Sequence, residues 1–111
     1  MRVWGLKTCD TCRKAVKALK GAGFDPDYID VRADGVDPAD MARFHAAFGE
    51  ALVNKRSTTW RGLSDAERAG DPLALLAQHP TLMKRPVIED VEQLTLGWDA
   101  ATRDVWVGGA G

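Results

Sequence analysis

Cys9 and Cys12 are the two cysteines of this 111-residue chain, and they stand three positions apart in Cys9-Asp10-Thr11-Cys12. A thiol pair at that spacing can pass between dithiol and disulfide. The reactive species is the thiolate, so the chemistry depends on what lowers a cysteine pKa. Before the pair, Arg2 to Leu6 is a short apolar run that reads as a buried strand. After it, Cys12, Ala15, Val16 and Leu19 recur at helical spacing, with Arg13, Lys14, Lys17 and Lys20 on the other faces. Cys9 is therefore placed at a helix start, where unpaired N–H groups and the helix dipole favour an anion. Cys12, about one turn further in, reads as the more buried, resolving thiol, which also protects a sulfenic acid from over-oxidation.

Two other readings compete. The pair is half of a zinc site only if two further ligands exist, and the histidines, His45 and His79, have no ligand spacing to it; no metal is expected. Two inert buried thiols are the stronger alternative. A strand, C-x-x-C and helix in succession favour the redox reading over both.

The positioning elements extend the pattern. Gly21 and Gly23 stop the helix, and Tyr28 to Val31 is a second strand, giving β-α-β with parallel strands. Asp37-Pro38 opens a helix carrying Met41, Phe44, His45 and Phe48. Ala51 to Lys55 reads as a short helix, and Asn54 to Gly62 as mainly loop. Ser64-x-x-Glu67 fits a capping box, and Asp71-Pro72 opens a helix that Pro80 ends. Val87-Ile88 and Leu94-Thr95-Leu96 flank an acidic turn, Glu89 to Glu92, as an antiparallel hairpin. Asp99 caps a last helix with Val105 and Trp106. The order is thioredoxin-like with helices inserted. The expected fold class is α/β, with a mixed four-stranded sheet and a helical insertion between the β-α-β and β-β-α halves. One domain over 1–111 is expected, with a frayed tail from about 104.

Composition agrees with an ordinary globular chain: 45% hydrophobic, 28% charged and a formal net charge of −1. That charge gives no basic footprint for nonspecific nucleic-acid or membrane binding. The first residues are too short an apolar run for a signal peptide, and two cysteines in a reducing compartment are rarely a staple. A cytoplasmic location is the expectation.

Three segments, in order, resemble one family. Gly5-Leu6-Lys7-Thr8-Cys9-Asp10-Thr11-Cys12-Arg13-Lys14-Ala15 looks like the active-site segment of the arsenate reductase (ArsC)/Spx family, a branch of the thioredoxin fold. Leu52-Val53-Asn54-Lys55-Arg56-Ser57-Thr58-Thr59-Trp60-Arg61 resembles its central motif, above all in the YffB-like subgroup, and His79 to Val87 its late motif. The resemblance runs from about residue 2 to 103. It implies that Cys9 is the nucleophile, that Arg85 binds an oxyanion or thiol ligand beside it, and that Pro86 is the cis-proline facing the cysteine. A guanidinium's fixed fork of donors suits such an anion. Arg56 is a further candidate for the anion site, with Arg61 less favoured, and Thr11 presents a backbone donor. Thr58, Thr59 and Trp60 could shape a ligand groove, although Trp60 suits a core equally. Where the glutaredoxin-coupled reductases carry two further arginines, this chain has Asn54 and Gly97.

The resulting expectation is a thiol oxidoreductase resembling the glutathione/glutaredoxin-coupled arsenate reductases. No cofactor is bound; glutathione serves as co-substrate, or a glutaredoxin-type protein as reductant. The substrate is a small oxyanion or a thiol species, and the chain acts as a monomer without nucleic acid or membrane. The alternative, of another class, is an Spx-like regulator that binds RNA polymerase and is switched by a Cys9–Cys12 disulfide.

Overall fold

The computed structural model describes residues 1–91 and 93–108. The chain divides into two compact units, Met1–Asp30 with Arg85–Gly111, and Val31–Lys84.

The first unit holds a four-stranded sheet in the order β2-β1-β3-β4. Strand β1 (Arg2–Gly5) leads into helix α1 (Asp10–Gly21), which returns to β2 (Asp27–Asp30). Strands β1 and β2 are parallel, with Val3 beside Tyr28. Strand β3 (Val87–Asp90) runs antiparallel to β1, placing Ile88 beside Val3, and β4 (Gln93–Leu96) completes a hairpin. The sheet is thus mixed, the thioredoxin-like arrangement expected from the element order.

Period-2 alternation sorts the strands. Val3 and Ile88 join Ala15, Val16 and Leu19 of α1 and Trp106 of the last helix in one buried cluster, against which Tyr28 packs. Each fully buried Val, Leu or Ile in it contributes about 1.5–3 kcal/mol. The same alternation puts Gly5 on the α1 face of the sheet, against Cys12.

The last helix, α6 (Ala100–Val107), is capped by Asp99, whose Oδ1 accepts from the Thr102 N–H at 2.9 Å. The fraying expected from about 104 does not hold for the first residues of that stretch. Asp104 to Val107 remain helical, held by Trp106, whose Nε1 donates to Thr95 Oγ1 at 2.7 Å. Residues 109–111, where the expected tail ends, lie outside the described residues, as does Glu92. The hairpin turn is also tighter than expected, because Glu89 and Asp90 pair within β3.

The second unit is the helical insertion: α2 (Pro38–Phe48), α3 (Thr58–Arg61), α4 (Asp65–Arg68) and α5 (Pro72–Gln78). Asp37 and Asp71 cap α2 and α5 with Pro in the first turn, and Ser64 with Glu67 forms a full capping box on α4.

Two local expectations are corrected here. The short helix placed at Ala51 to Lys55 is instead a 3-10 turn over Gly49–Leu52, followed by a bridge between Val53 and Met83. The backbone is drawn straight because the Asn54 N–H donates to Leu82 O at 2.8 Å and the Lys84 N–H to Leu52 O at 2.7 Å. The segment read as loop from Asn54 to Gly62 contains α3, capped by Ser57, whose Oγ accepts from the Trp60 N–H at 3.1 Å. Among the described residues no helix is long and apolar enough to cross a membrane.

Candidate active site around Cys9

Cys9 is the N-cap of α1, with extended backbone (φ −86°, ψ 118°), and its own N–H donates to Leu6 O at 3.0 Å. The turn from β1 into α1 therefore ends on the thiol. Cys9 is partly exposed and Cys12 is fully buried; both are free thiols.

Burial of the Cys9 sulfur opposes its ionisation. The Cys12 N–H, the Cys12 thiol, the Arg85 guanidinium and the Thr11 N–H together outweigh that, and hold Cys9 below the ordinary cysteine value. These are the helix-start donors anticipated from the sequence, joined by one cation from a distant part of the chain. Cys12 goes the other way. Its burial, with the hydrogen bond to Cys9 and the neighbouring Cys9 charge, pushes it up to about 11. The two thiols are thus electronically unlike: one poised to ionise in the open, one held protonated beneath it.

Arg85 is half-buried and precedes Pro86 through a cis peptide bond. Pro86 is buried, and its carbonyl accepts from the Gly97 N–H at 2.8 Å. That bond straps the start of β3 to the end of β4. Gly97 has φ 83°, in the left-handed region that favours glycine. The position at which the arsenate reductases carry an arginine is, in this chain, a backbone turn.

Cys9, Thr11, Cys12, Arg85 and Pro86 all belong to the first unit. Thr11 has an exposed side chain and acts through its N–H. Arg56 belongs to the second unit, exposed on a cavity of about 470 Å³ with Lys55 and Lys84. Asn54 in that unit is a turn organiser: its Oδ1 accepts from the Arg56 N–H at 3.1 Å and its carbonyl from Ser57 Oγ at 2.8 Å. Thr59 is hydrogen-bonded to Thr81, 3.2 Å between hydroxyl oxygens. Trp60 is half-buried, with Lys55 Nζ and Arg68 Cζ each 5.7 Å from its ring centroid.

Two residues of the site were not singled out from the sequence. Tyr28 donates its hydroxyl hydrogen to Leu6 O and lies against Cys12; burial and the two thiols push its pKa to about 12. Gly5 is in contact from below: a Cβ there would sit 2.7 Å from Cys12 Sγ and 3.3 Å from Tyr28 Cε1. The available signals were a glycine inside a buried strand and an aromatic residue with a polar tip at the start of the second strand.

One prediction follows from the electrostatics. Arg85→Met keeps an unbranched apolar stem and removes the charge. The Cys9 pKa then rises towards the ordinary value, and the pH midpoint for alkylation by iodoacetamide moves upward with it. An unmoved midpoint would mean that Arg85 does not act on the thiol.

A mixed four-stranded sheet with a cysteine at the N-cap of its first helix defines a thioredoxin-like fold. The chain belongs to the ArsC family, whose sequence model matches residues 4–104. A Haemophilus influenzae protein described only as uncharacterized is 38% identical over 102 residues, covering 87% of this chain and 90% of that one. Among solved structures, a protein named YFFB (PA3664) superposes with a TM-score of 0.85 at 29% identity, covering 96% of this chain and 97% of that one. An arsenate reductase (ArsC) related protein from Brucella melitensis gives 0.72 at 31% identity, covering 95% and 92%.

Proposed function

We propose that this chain is a thiol–disulfide oxidoreductase acting on a glutathione mixed disulfide. The observation that carries this reading is a partly exposed free thiol, Cys9, at the N-cap of α1 with a buried partner thiol, Cys12, one turn on; the charge of Arg85 favours its thiolate. In the first step the Cys9 thiolate attacks the glutathione sulfur of the substrate disulfide. A Cys9–glutathione disulfide forms and the substrate leaves as a thiolate, which takes a proton from water. Arg85, by its charge, holds a carboxylate of the glutathionyl group.

Bonding at Cys9 removes the negative charge that helps hold Cys12 protonated. Cys12 then loses its proton to water and attacks the Cys9 sulfur, expelling glutathione thiolate and leaving a Cys9–Cys12 disulfide. Two glutathione molecules reduce that disulfide and leave as oxidised glutathione. Alternatively, one glutathione attacks the Cys9–glutathione disulfide directly and regenerates the Cys9 thiolate. A glutaredoxin-type protein fits the same reducing role.

Arsenate reduction is the neighbouring reaction, and the site supports it less. Of the three positions at which the arsenate reductases carry arginine, only Arg85 remains. Asn54 organises a turn and Gly97 requires a backbone that disfavours a side chain. Wild-type protein, supplied with glutathione, glutathione reductase and NADPH, is expected to turn over a glutathionylated peptide far faster than arsenate. Turnover of arsenate alone would make the oxyanion the substrate. Turnover of neither, together with redox-dependent binding to the polymerase α-subunit, would favour the regulator.

A further inference from the structure

A groove of about 560 Å³ runs along the flank of α1, floored by Val16 and Tyr28 and rimmed by Arg13, Lys14, Lys17 and Lys20. Arg13 to Lys20 spans about 10 Å of helix. Among the described residues none of these four cations has an ion-pair partner. The chain as a whole has one more acid than base, 16 against 15. A cluster of four unneutralised cations is therefore a local field opposite in sign to the net charge, and such a field steers oppositely charged partners. The one acid on the groove is Asp10, at the end adjoining Cys9. The floor is apolar, and the lysine stems add further apolar surface beneath their charged heads.

We propose that this groove seats an acidic segment, with an apolar side chain on its floor, of the protein whose disulfide Cys9 opens. The inference rests on the thiol-exchange reading and names the class of partner for that same cysteine. A segment laid from Lys20 towards Asp10 ends beside the residue that follows Cys9 in the chain. Carboxylates meet the rim, a leucine or aromatic ring meets Val16 and Tyr28, and Asp10 repels any acidic residue that would overrun the thiol. Nucleic acid would satisfy the rim but leave the apolar floor uncovered.

Three disulfides test it, each supplied with glutathione, glutathione reductase and NADPH. The first is a Glu-rich peptide with one leucine and one glutathionylated cysteine. The second is its counterpart with Lys in place of Glu, and the third is hydroxyethyl disulfide. At low salt the acidic peptide is expected to exceed the basic one in kcat/KM by about tenfold or more, within the range of electrostatic steering. The Lys14→Glu, Lys17→Glu double variant should bring that ratio to one or below, and high salt should flatten it. Turnover of hydroxyethyl disulfide should stay unchanged. A wild-type ratio near one, or a ratio the double variant leaves intact, overturns the proposal. So does an equal loss on hydroxyethyl disulfide, which would place the two lysines' effect on the thiol itself.

If wild-type protein turns over none of the three, the thiol-exchange reading fails. Fluorescence anisotropy of the labelled acidic peptide with Cys9→Ser protein then reads the groove alone. Binding there, lost in the double variant, supports the groove. No binding, or displacement of the peptide by a single-stranded oligonucleotide of higher affinity, sinks it.

Discussion

Cys9→Ser is expected to abolish disulfide reduction, with a loss of at least about 10³-fold in kcat, in line with removal of a nucleophile elsewhere. The substitution is nearly isosteric, so the helix start survives. What disappears is the group that ionises: a serine hydroxyl at an N-cap accepts backbone hydrogen bonds but does not become an anion near neutral pH. The companion measurement is the pH dependence of Cys9 alkylation. Because the pKa is lowered, the thiolate population rises with pH and levels off at a lower pH than for an ordinary cysteine. Cys12, pushed to about 11, should remain unlabelled across that window in the folded protein. Two thiols labelling together, with a common midpoint at the ordinary value, would defeat the assignment of Cys9 as an activated nucleophile. Retention of activity by Cys9→Ser would defeat any mechanism through this thiol.

Gly5→Ala is expected to lower stability by about 1–3 kcal/mol, the usual range for overpacking a filled site. The added methyl meets Cys12 Sγ at 2.7 Å and Cys12 Cβ at 3.1 Å, and both belong to the first turns of a helix that packs on the sheet. Neither can yield without moving α1 or displacing Cys12 from its place beneath Cys9. Chemical denaturation measures the loss. The diagnostic result is a double-mutant cycle with Cys12→Ala. Removing Sγ relieves the closest contact, so the double variant should be more stable than the sum of the two single changes implies. Strict additivity would show that the glycine is needed for backbone reasons and not for the approach of the thiol. The Gly5→Ala protein should also resolve Cys9 mixed disulfides more slowly, which links packing under the helix to turnover.

The β-α-β start, the helical block and the closing hairpin with its helix were legible because each rests on local rules. Val3 and Ile88 alternate, Cys12 to Leu19 follow a 3.6-residue period, and Asp37, Ser64, Asp71 and Asp99 are caps whose partners lie within three residues. The stretch from Ala51 to Lys55 departs from its expected helix for the opposite reason. Its backbone partners, Leu82 and Lys84, lie some thirty positions away, and no local period announces a long-range bridge. Asp104 to Val107 are helical where fraying is expected, because one indole, Trp106, is held by Thr95 from another element.

The same division applies to the site. Sequence alone determined the thiol pair, its place at a helix start and hence the sign of the Cys9 shift, since helix-start donors and dipole are properties of local backbone. Family resemblance pointed further to Arg85, whose charge acts on Cys9, and to a cis bond before Pro86, which the backbone has. Only the tertiary structure decided that Cys12 is wholly buried and held protonated, because that depends on Gly5 and Tyr28 from two strands closing around one sulfur. Only it showed that Asn54 and Gly97 are engaged in turns, and that four cations of α1 line one groove with Tyr28 of β2. Spacing along a helix places charges on a face; what that face adjoins is settled by the strand beside it.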